Sequence, residues 1–321
     1  MKLNHIYKSI ACGVLLAMTA TSCDLDYNPV DTYSDVTEGV NKTDEKPIFN
    51  SVQDVETSMV TLHKKFRDQQ EHWYVDKLLI GDAHSDNAYA GTTGAEVVPY
   101  ETNSIEGSNS VLKRDWDRFL GDIAVANRII VGCDQLKALS ESERGKYQSQ
   151  AKIFRAMVMF DMVRLWGNFP VITTVGGDIT EDNVEEMYPT YFPPQNTAEE
   201  AYAQIEKDLT EAVENPNTPT NDTSDKSILT KSVARAMLAK VYAEKPLRDY
   251  AKVIKYADEL AADGFDLVED FSDLWAYDTE KKDCRVRNTK EAILEAHFPP
   301  GSGNWCTWMF GRNLSNWDES F

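Results

Sequence analysis

The cysteine at position 23 is placed for covalent modification of its thiol. An uncharged, mostly apolar run covers Ile10–Ala20, and the small residues directly before the cysteine are Ala20, Thr21 and Ser22. A short apolar core followed by small residues at a cleavage point is typical of a secretory signal peptide. With a cysteine next in sequence, the arrangement resembles a bacterial lipoprotein signal. In such a signal the thiol is lipidated and the cysteine, here Cys23, becomes the first mature residue.

The segment before Cys23 is too short to span a bilayer, which takes roughly 20 apolar residues. Lys2 and Lys8 flank its polar start, as in a signal peptide. We therefore divide the chain into a signal peptide at 1–22, a lipidated tether at 23–46 and a folded domain at 47–321. The alternative is an ordinary signal peptide with a chance cysteine.

Two acids, Asp24 and Asp26, directly follow the cysteine. Acids at this position resemble the surface-export signal of Bacteroidetes lipoproteins, and the alternative is a solvated acidic linker. The tether is rich in Asp, Thr, Asn and Gly and has no helical period, which indicates a flexible linker. We expect the protein to be anchored by lipid in the outer membrane and to face the cell exterior.

No catalytic signature is present in the sequence. It contains no HExxH, GxSxG or P-loop motif. With 53 acids in the chain, closeness in sequence does not select a carboxylate pair for glycoside hydrolysis. His84 and Asp86 are too few to define a cation site. We predict that the protein is not an enzyme and has no cofactor, and we leave calcium open.

The charge of the chain limits its partners. Its 53 acids and 33 bases give a net charge of −20. Such a charge repels phosphate backbones, and no basic stripe offsets it, so nucleic-acid binding is not expected. Attachment to anionic lipid by charge is disfavoured for the same reason, which leaves the acyl anchor as the membrane contact.

The cysteines do not indicate a disulfide framework. Five are present, of which Cys12 leaves with the signal and Cys23 takes the lipid. The remaining three, Cys133, Cys284 and Cys306, are an odd number without CxxC spacing. The sequence leaves open a pair between Cys284 and Cys306 or unpaired buried thiols.

A long polar, glycine-rich segment from His84 to Ser110 has the residue types of a binding loop. It contains Asp86, Asn87, Tyr89 and Tyr100. A loop of this length inside a compact domain is usually functional or disordered.

The elements that hold this loop are predicted to be helices, because apolar residues recur at spacings of three and four. The predicted helices cover Val52–Phe66, Trp73–Ala83, Trp116–Ile130, Ser140–Trp166, Thr197–Glu214, Ser232–Ala243 and Leu247–Ala262. Between them, 176–195 is predicted to be loop. Two short segments, Val171–Thr174 and Ala292–Phe298, fit either strand or extended chain.

The fold class that follows is mostly α, with tetratricopeptide-like helix pairs, irregular loop-rich segments and little strand. Residues Ser232–Ala262 have the helix, short connector and helix of one such unit, with alanines where helices approach closely. The full repeat signature is not present.

Several blocks of this sequence, taken in order, resemble the SusD/RagB family of outer-membrane lipoproteins. The blocks are CDLDYNP at 23–29, RDWDRFLGDIAVANRII at 114–130, AKIFRAMVMFDMVRLWGNFPVIT at 151–173, AYAQIEKDLTEAV at 201–213, TKSVARAMLAKVYA at 230–243 and KEAILEAHF at 290–298. Members of this family are generally much longer than this chain, so we expect the domain to be incomplete at its C-terminal end.

The resemblance implies a surface protein that binds oligosaccharides and delivers them to a SusC-like TonB-dependent transporter. Aromatic rings stack on the apolar faces of sugars, and amide and carboxylate groups bond their hydroxyls. The family places a ligand-facing loop at Asp86, Asn87, Tyr89 and Tyr100. Aromatic residues in the irregular segment after the repeats, Trp305 and Trp308, are further binding candidates.

Residues inside the family's hallmark helices are interpreted as structural. Trp116 and Trp166 are expected to be helix contacts, and Arg155 and Arg164 to pair with acids or carbonyls. Asp208 is expected to be a packing or capping acid.

The sequence is compatible with three alternative functions. The RagB side of the family makes peptide uptake one alternative. A scaffold that docks on the transporter without strong glycan affinity is another, and a surface glycosidase is a third.

Overall fold

The computed structural model describes residues 47–298, except 86, 89–93, 178–183, 245, 275 and 282. Within these residues the helices are α1 Val52–Asp68, α2 Asp76–Leu78, α3 Val98–Glu101, α4 Ser110–Gln135, α5 Glu141–Trp166, α6 Val184–Tyr191, α7 Ala198–Glu214, α8 Lys231–Ala243 and α9 Tyr250–Ala262. Two π-helical turns, Glu71–Val75 and Leu79–Ala83, flank α2, and a 3₁₀ turn covers Phe271–Leu274. The mostly α prediction is confirmed.

Capping residues set where the long helices begin. Ser51, Ser140 and Thr197 each form a capping box, in which the side chain accepts from the third helical N–H and the acid there accepts from the cap N–H. The box at Thr197 begins a helix that ends at Glu214, as predicted from the sequence. Helix α5 ends at Gly167, whose φ of 71° is accessible to glycine at little cost.

The helices pack mainly on their neighbours in sequence: α4 on α5, α7 on α8 and α8 on α9, while α5 also packs on α7 and α1 on α4. Gly132 of α4 lies against Phe49, where a Cβ would approach the ring to 2.4 Å. The glycine at this position therefore lets the chain before α1 lie close to α4.

A buried ion pair connects three of these helices. Arg155 of α5 donates from Nε and Nη2 to the two carboxylate oxygens of Asp208 on α7, at 2.8 and 2.7 Å. Its Nη1 donates to Oδ1 of Asn127 on α4 at 2.7 Å. The Asn127 amide then donates to the carbonyls of Ile172 and Thr174. The predicted pairing of Arg155 and the packing role of Asp208 are confirmed.

The aromatic residues of the hallmark helices pack against one another. Trp116 and Trp166 meet edge to face, with ring centroids 5.4 Å apart, which confirms them as helix contacts. Trp73 is buried against Phe119 and Phe154. Arg164 forms the expected ion pair, with Glu244 at 3.2 Å.

The prediction of a loop at 176–195 is wrong in part, because this segment contains α6, which holds Pro189 inside it. The two segments predicted as either strand or extended chain contain no strand. Residues Val171–Thr174 run as an extended exit, while Phe169 just before them makes an isolated bridge to Asn196. Ala292–Phe298 is irregular and half-buried.

Strand is scarce in the described part of the chain. A two-residue pair, β1 Tyr277–Asp278 and β2 Asp283–Cys284, forms an antiparallel ladder in which Tyr277 pairs with Cys284.

We predict that Arg155→Met will lower the free energy of unfolding by about 3–5 kcal/mol, because it leaves the Asp208 carboxylate buried without its cation. Denaturant unfolding followed by circular dichroism measures the loss. The control is Arg164→Met on the same helix, whose ion pair is half exposed and should change stability by less than about 1 kcal/mol. Equal losses in the two variants would contradict the role given to the buried pair.

Candidate functional site

The candidate binding loop begins where the second π-helical turn ends. The carbonyl of Asp82 accepts from the N–H groups of Asn87 and Ala88, at 3.0 and 3.1 Å. Asn87 is exposed and its amide donates to Ser85 Oγ at 3.0 Å. The backbone turn therefore holds a carboxamide at the surface, where it can bond a polar ligand.

Tyr100 lies beneath the loop and does not face solvent. It belongs to α3, a short helix inside the segment predicted to be loop, and only 1% of its surface is exposed. Its ring meets His84 edge to face at 6.3 Å, and its hydroxyl donates to Asn109 Oδ1 at 3.4 Å. The prediction that Tyr100 faces a ligand is wrong, because its ring is buried and packs the loop onto α4.

Asn109 connects the loop to the start of α4. Its Oδ1 accepts from the N–H groups of Val111 and Leu112, which caps the helix. Its Nδ2 donates to the carbonyl of Glu96 at 2.9 Å. One side chain thus fixes both the helix end and the returning loop.

A buried carboxylate pair lies below Tyr100. Asp76 and Asp115 are 4% and 1% exposed. Arg114 donates to Asp76, whereas neither Asp115 oxygen has a hydrogen-bond partner. Arg118, one turn further along α4, bonds Glu71 at 3.0 Å.

This environment raises the pKa values of Asp115 and Tyr100. Burial, with the Asp76 carboxylate as the next cause, raises the pKa of Asp115 to about 8. Burial also raises the pKa of the Tyr100 hydroxyl to about 12, and the Asp115 charge adds to the shift. The raised pKa favours the protonated form of Asp115, whose proton can be shared with the Asp76 carboxylate.

The remaining predicted site residues fall outside the part of the chain that the structure describes. They are Cys23, Asp86, Tyr89, Trp305 and Trp308. Cys306 lies there too, so the pairing of Cys284 with Cys306 stays a prediction. Cys133 is a free buried thiol whose pKa is raised by burial to about 12.

The residues that the structure describes contain no cluster of metal-ligating side chains. Among those residues no group of three or more His, Cys, Asp or Glu side chains is arranged to hold a metal ion. His84 contacts Tyr100, and its suggested partner Asp86 is outside the described residues. Calcium therefore stays an open prediction.

The buried charge cluster of Asp76, Arg114 and Asp115 cannot be read from the sequence. Its only signal is the charge order of RDWDR at 114–118. Helical spacing places Arg114 and Arg118 on one side, but it does not show that Asp76 approaches from another element.

We predict that Asp115→Asn will flatten the pH dependence of stability between about pH 4 and pH 8. In this range the folded wild type holds a proton on Asp115 that the unfolded chain, with the ordinary pKa of 3.8, has released. The free energy of unfolding therefore falls as pH rises. Asparagine mimics the protonated form and removes this contribution.

Denaturant midpoints measured across this pH range test the Asp115 prediction. The control is Asp117→Asn, an exposed acid on the same helix, which should keep the wild-type slope. Parallel curves for wild type and Asp115→Asn would show that the carboxyl is ionised.

Comparison with known proteins gives SusD-like and surface glycan-binding proteins as relatives. A curated SusD-like protein of Bacteroides ovatus is 25% identical over 309 residues, covering 92% of this chain and 50% of that protein. Surface glycan-binding protein A of Bacteroides fluxus aligns in structure with a TM-score of 0.62 and 20% identity, covering 80% of this chain and 52% of that one.

A second solved structure is surface glycan-binding protein A of Bacteroides thetaiotaomicron in complex with laminarihexaose. It has a TM-score of 0.55 and 16% identity, covering 70% of this chain and 46% of that one. At these identities the structures show a shared fold, and this chain spans about half the length of the relatives it matches. The family model described as starch-binding associating with outer membrane matches residues 32–243. The chain belongs to the SusD-like family.

Proposed function

We propose that this protein is a cell-surface lipoprotein that captures oligosaccharides and delivers them to a SusC-like TonB-dependent transporter. The observation that carries the proposal is the match of residues 32–243 to a family described as starch-binding. The fold is also shared with a protein solved in complex with laminarihexaose.

The chemistry of the candidate loop supports a neutral sugar as the ligand. Asn87 offers an exposed carboxamide that both donates and accepts hydrogen bonds. Asp86 and Tyr89 adjoin it in sequence, and would add a carboxylate and a ring for stacking. Trp305 and Trp308 are proposed to extend the stacking surface. A net charge of −20 disfavours anionic ligands.

Cys23 is proposed to hold the protein on the outer membrane through its lipid, with 23–46 as the tether. No helix among the described residues is long and apolar enough to cross a membrane. Acyl chains contribute about 0.8 kcal/mol per buried methylene, so several chains anchor a domain stably.

The buried carboxylate pair below Tyr100 is not suited to cleaving a glycosidic bond. The close pair of Asp76 and Asp115 is buried, so a glycosidic bond cannot reach between the two groups. A glycosidase needs two accessible carboxyl groups on either side of that bond. We propose that the protein is not an enzyme.

One observation favours the alternative of a protein ligand or a docking scaffold. Tyr250 and Ile254, four residues apart on α9, are both more than half exposed. Apolar residues on an outer helix of a tetratricopeptide-like pair are suited to contact another protein. A RagB-like protein that binds peptides would use such a surface.

We predict that the protein binds neutral oligosaccharides, and that Asp86→Ala/Asn87→Ala/Tyr89→Ala weakens the binding by at least 10-fold. Each lost stacking contact is worth about 0.5–1.5 kcal/mol, and the lost hydrogen bonds about 0.5–1.5 kcal/mol each. A glycan array followed by calorimetry measures the affinity. Tyr250→Ala is the control, since it removes an exposed ring elsewhere. Peptide binding in the absence of any glycan binding would favour the RagB-like alternative.

We predict that Cys23→Ala abolishes labelling by radioactive palmitate and moves the protein out of the outer-membrane fraction. The reason is that residue 23 supplies the only proposed acyl acceptor. Cys133→Ala is the control, because its thiol is buried in the folded domain. Unchanged labelling of Cys23→Ala would remove the lipid anchor from the proposal.

A further inference from the structure

An exposed aromatic pair, formed by Tyr188 of α6 and Phe192 directly after the end of that helix, is not part of the proposed binding loop. Tyr188 and Phe192 are 56% and 68% exposed. They are four residues apart, which places them on one side of a helical turn. Their ring centroids are 4.8 Å apart, with the ring planes tilted by 37°. The two rings thus form one continuous apolar surface.

The neighbouring residue Tyr191 holds this surface in place. Its hydroxyl donates to the carbonyl of Gly177 at 2.5 Å. Its ring lies against Gly176, where a Cβ would approach the ring to 3.1 Å. Tyr191 therefore attaches α6 to the extended chain, while Tyr188 and Phe192 are left to solvent.

The base of the segment that contains α6 is also fixed. Asn196 N–H donates to the Phe169 carbonyl at 3.0 Å, and Asn196 Oδ1 accepts from Val171 N–H at 2.9 Å. At the start of the segment, Asn127 holds the carbonyls of Ile172 and Thr174. The exposed rings are thus mounted on a segment attached to the buried ion-pair network.

The size of the surface argues for a small ligand. A buried aromatic side chain contributes about 150–250 Å², so two rings that are each about half exposed offer roughly 150–300 Å². A stable protein interface buries about 800 Å² on each partner. The pair is too small for such an interface by itself and is comparable to the face of one or two sugar rings.

The charge around the rings argues for an uncharged ligand. Glu185 and Glu186, one turn before the rings, are exposed and have no cation among their described contacts. Carboxylates repel phosphate, sulfate and uronate groups but accept hydrogen bonds from hydroxyls. Apolar rings with exposed hydroxyl acceptors on the same short helix match the apolar face and polar rim of a neutral pyranose.

We propose that Tyr188 and Phe192 form a second, separate stacking surface for neutral glycans. The proposal rests on the proposed function, because it assumes the same class of ligand. The surface engages another part of the glycan chain that the loop captures, and it contributes most for polysaccharides long enough to reach both.

The test compares the full wild-type chain with Tyr188→Ala/Phe192→Ala by affinity electrophoresis in gels that contain laminarin, xyloglucan or starch. We expect the double variant to bind its preferred polysaccharide about 2- to 10-fold more weakly. The aromatic exchange Tyr188→Phe/Phe192→Tyr should keep wild-type affinity, because it keeps both stacking faces.

The matched control is Leu267→Ala/Phe271→Ala, which removes two apolar residues at the same spacing and similar exposure, 71% each. It should bind as the wild type does. Circular dichroism confirms that the helical content of each variant is unchanged.

Three results would overturn the proposal. If the wild type binds a polysaccharide and Tyr188→Ala/Phe192→Ala binds it equally well, the second surface is refuted, but the proposed function is not. A wild type that binds none of the three polysaccharides refutes both. If the wild type self-associates in sedimentation velocity and only Tyr188→Ala/Phe192→Ala abolishes this, the surface binds a second copy of the chain.

Discussion

The guanidinium of Arg155 is a buried charge whose neutralisation fixes the arrangement of the helices around it. Its pairing with Asp208 is bidentate and its third bond goes to Asn127. A planar fork of donors satisfies these acceptors only when α4, α5 and α7 hold one relative position. Because a misplaced partner leaves a charge desolvated and unpaired, at a cost of several kcal/mol, the network disfavours alternative packings. We infer that it specifies the helix arrangement more than it adds to net stability.

A second buried pair has the same effect about one turn earlier on α4. His72 Nε2 lies 3.0 Å from the Asp122 carboxylate, and both side chains are fully buried. Lys65 of α1 approaches the other oxygen of Asp122 at 3.7 Å. His72 belongs to the first π-helical turn, which α2 and the second π-helical turn connect to the candidate binding loop. The helical backbone before the loop is therefore positioned by a buried polar contact, which would lower the ordering that the proposed binding groups need when a ligand arrives.

Sequence patterns predicted the helices well because apolar spacing and caps are local signals, as at Thr197 and Ser140. They did not predict α6, where Pro189 and a run of acids are typical of a loop. The candidate site was harder, since exposure depends on distant packing. Asn87 and Tyr100 occur in one polar segment, yet the structure exposes the first and buries the second. No spacing rule identifies the approach of Asp76 to α4, because the two residues come from different elements.

The acidity of the chain determines how a ligand must be held. With 20 more acids than bases, the protein repels anionic ligands. A neutral ligand is not steered by charge, so its affinity has to come from stacking and hydrogen bonds at close contact. Each such contact is worth only about 1 kcal/mol, which makes a single small site weak. A polymer that engages two sites on one molecule binds the second as an intramolecular step, at an effective concentration set by the span between them. Rigid mounting of the two proposed surfaces on buried polar contacts that both include residues of α4 would keep that span constant, so weak contacts would add up for long chains and be lost for short ones.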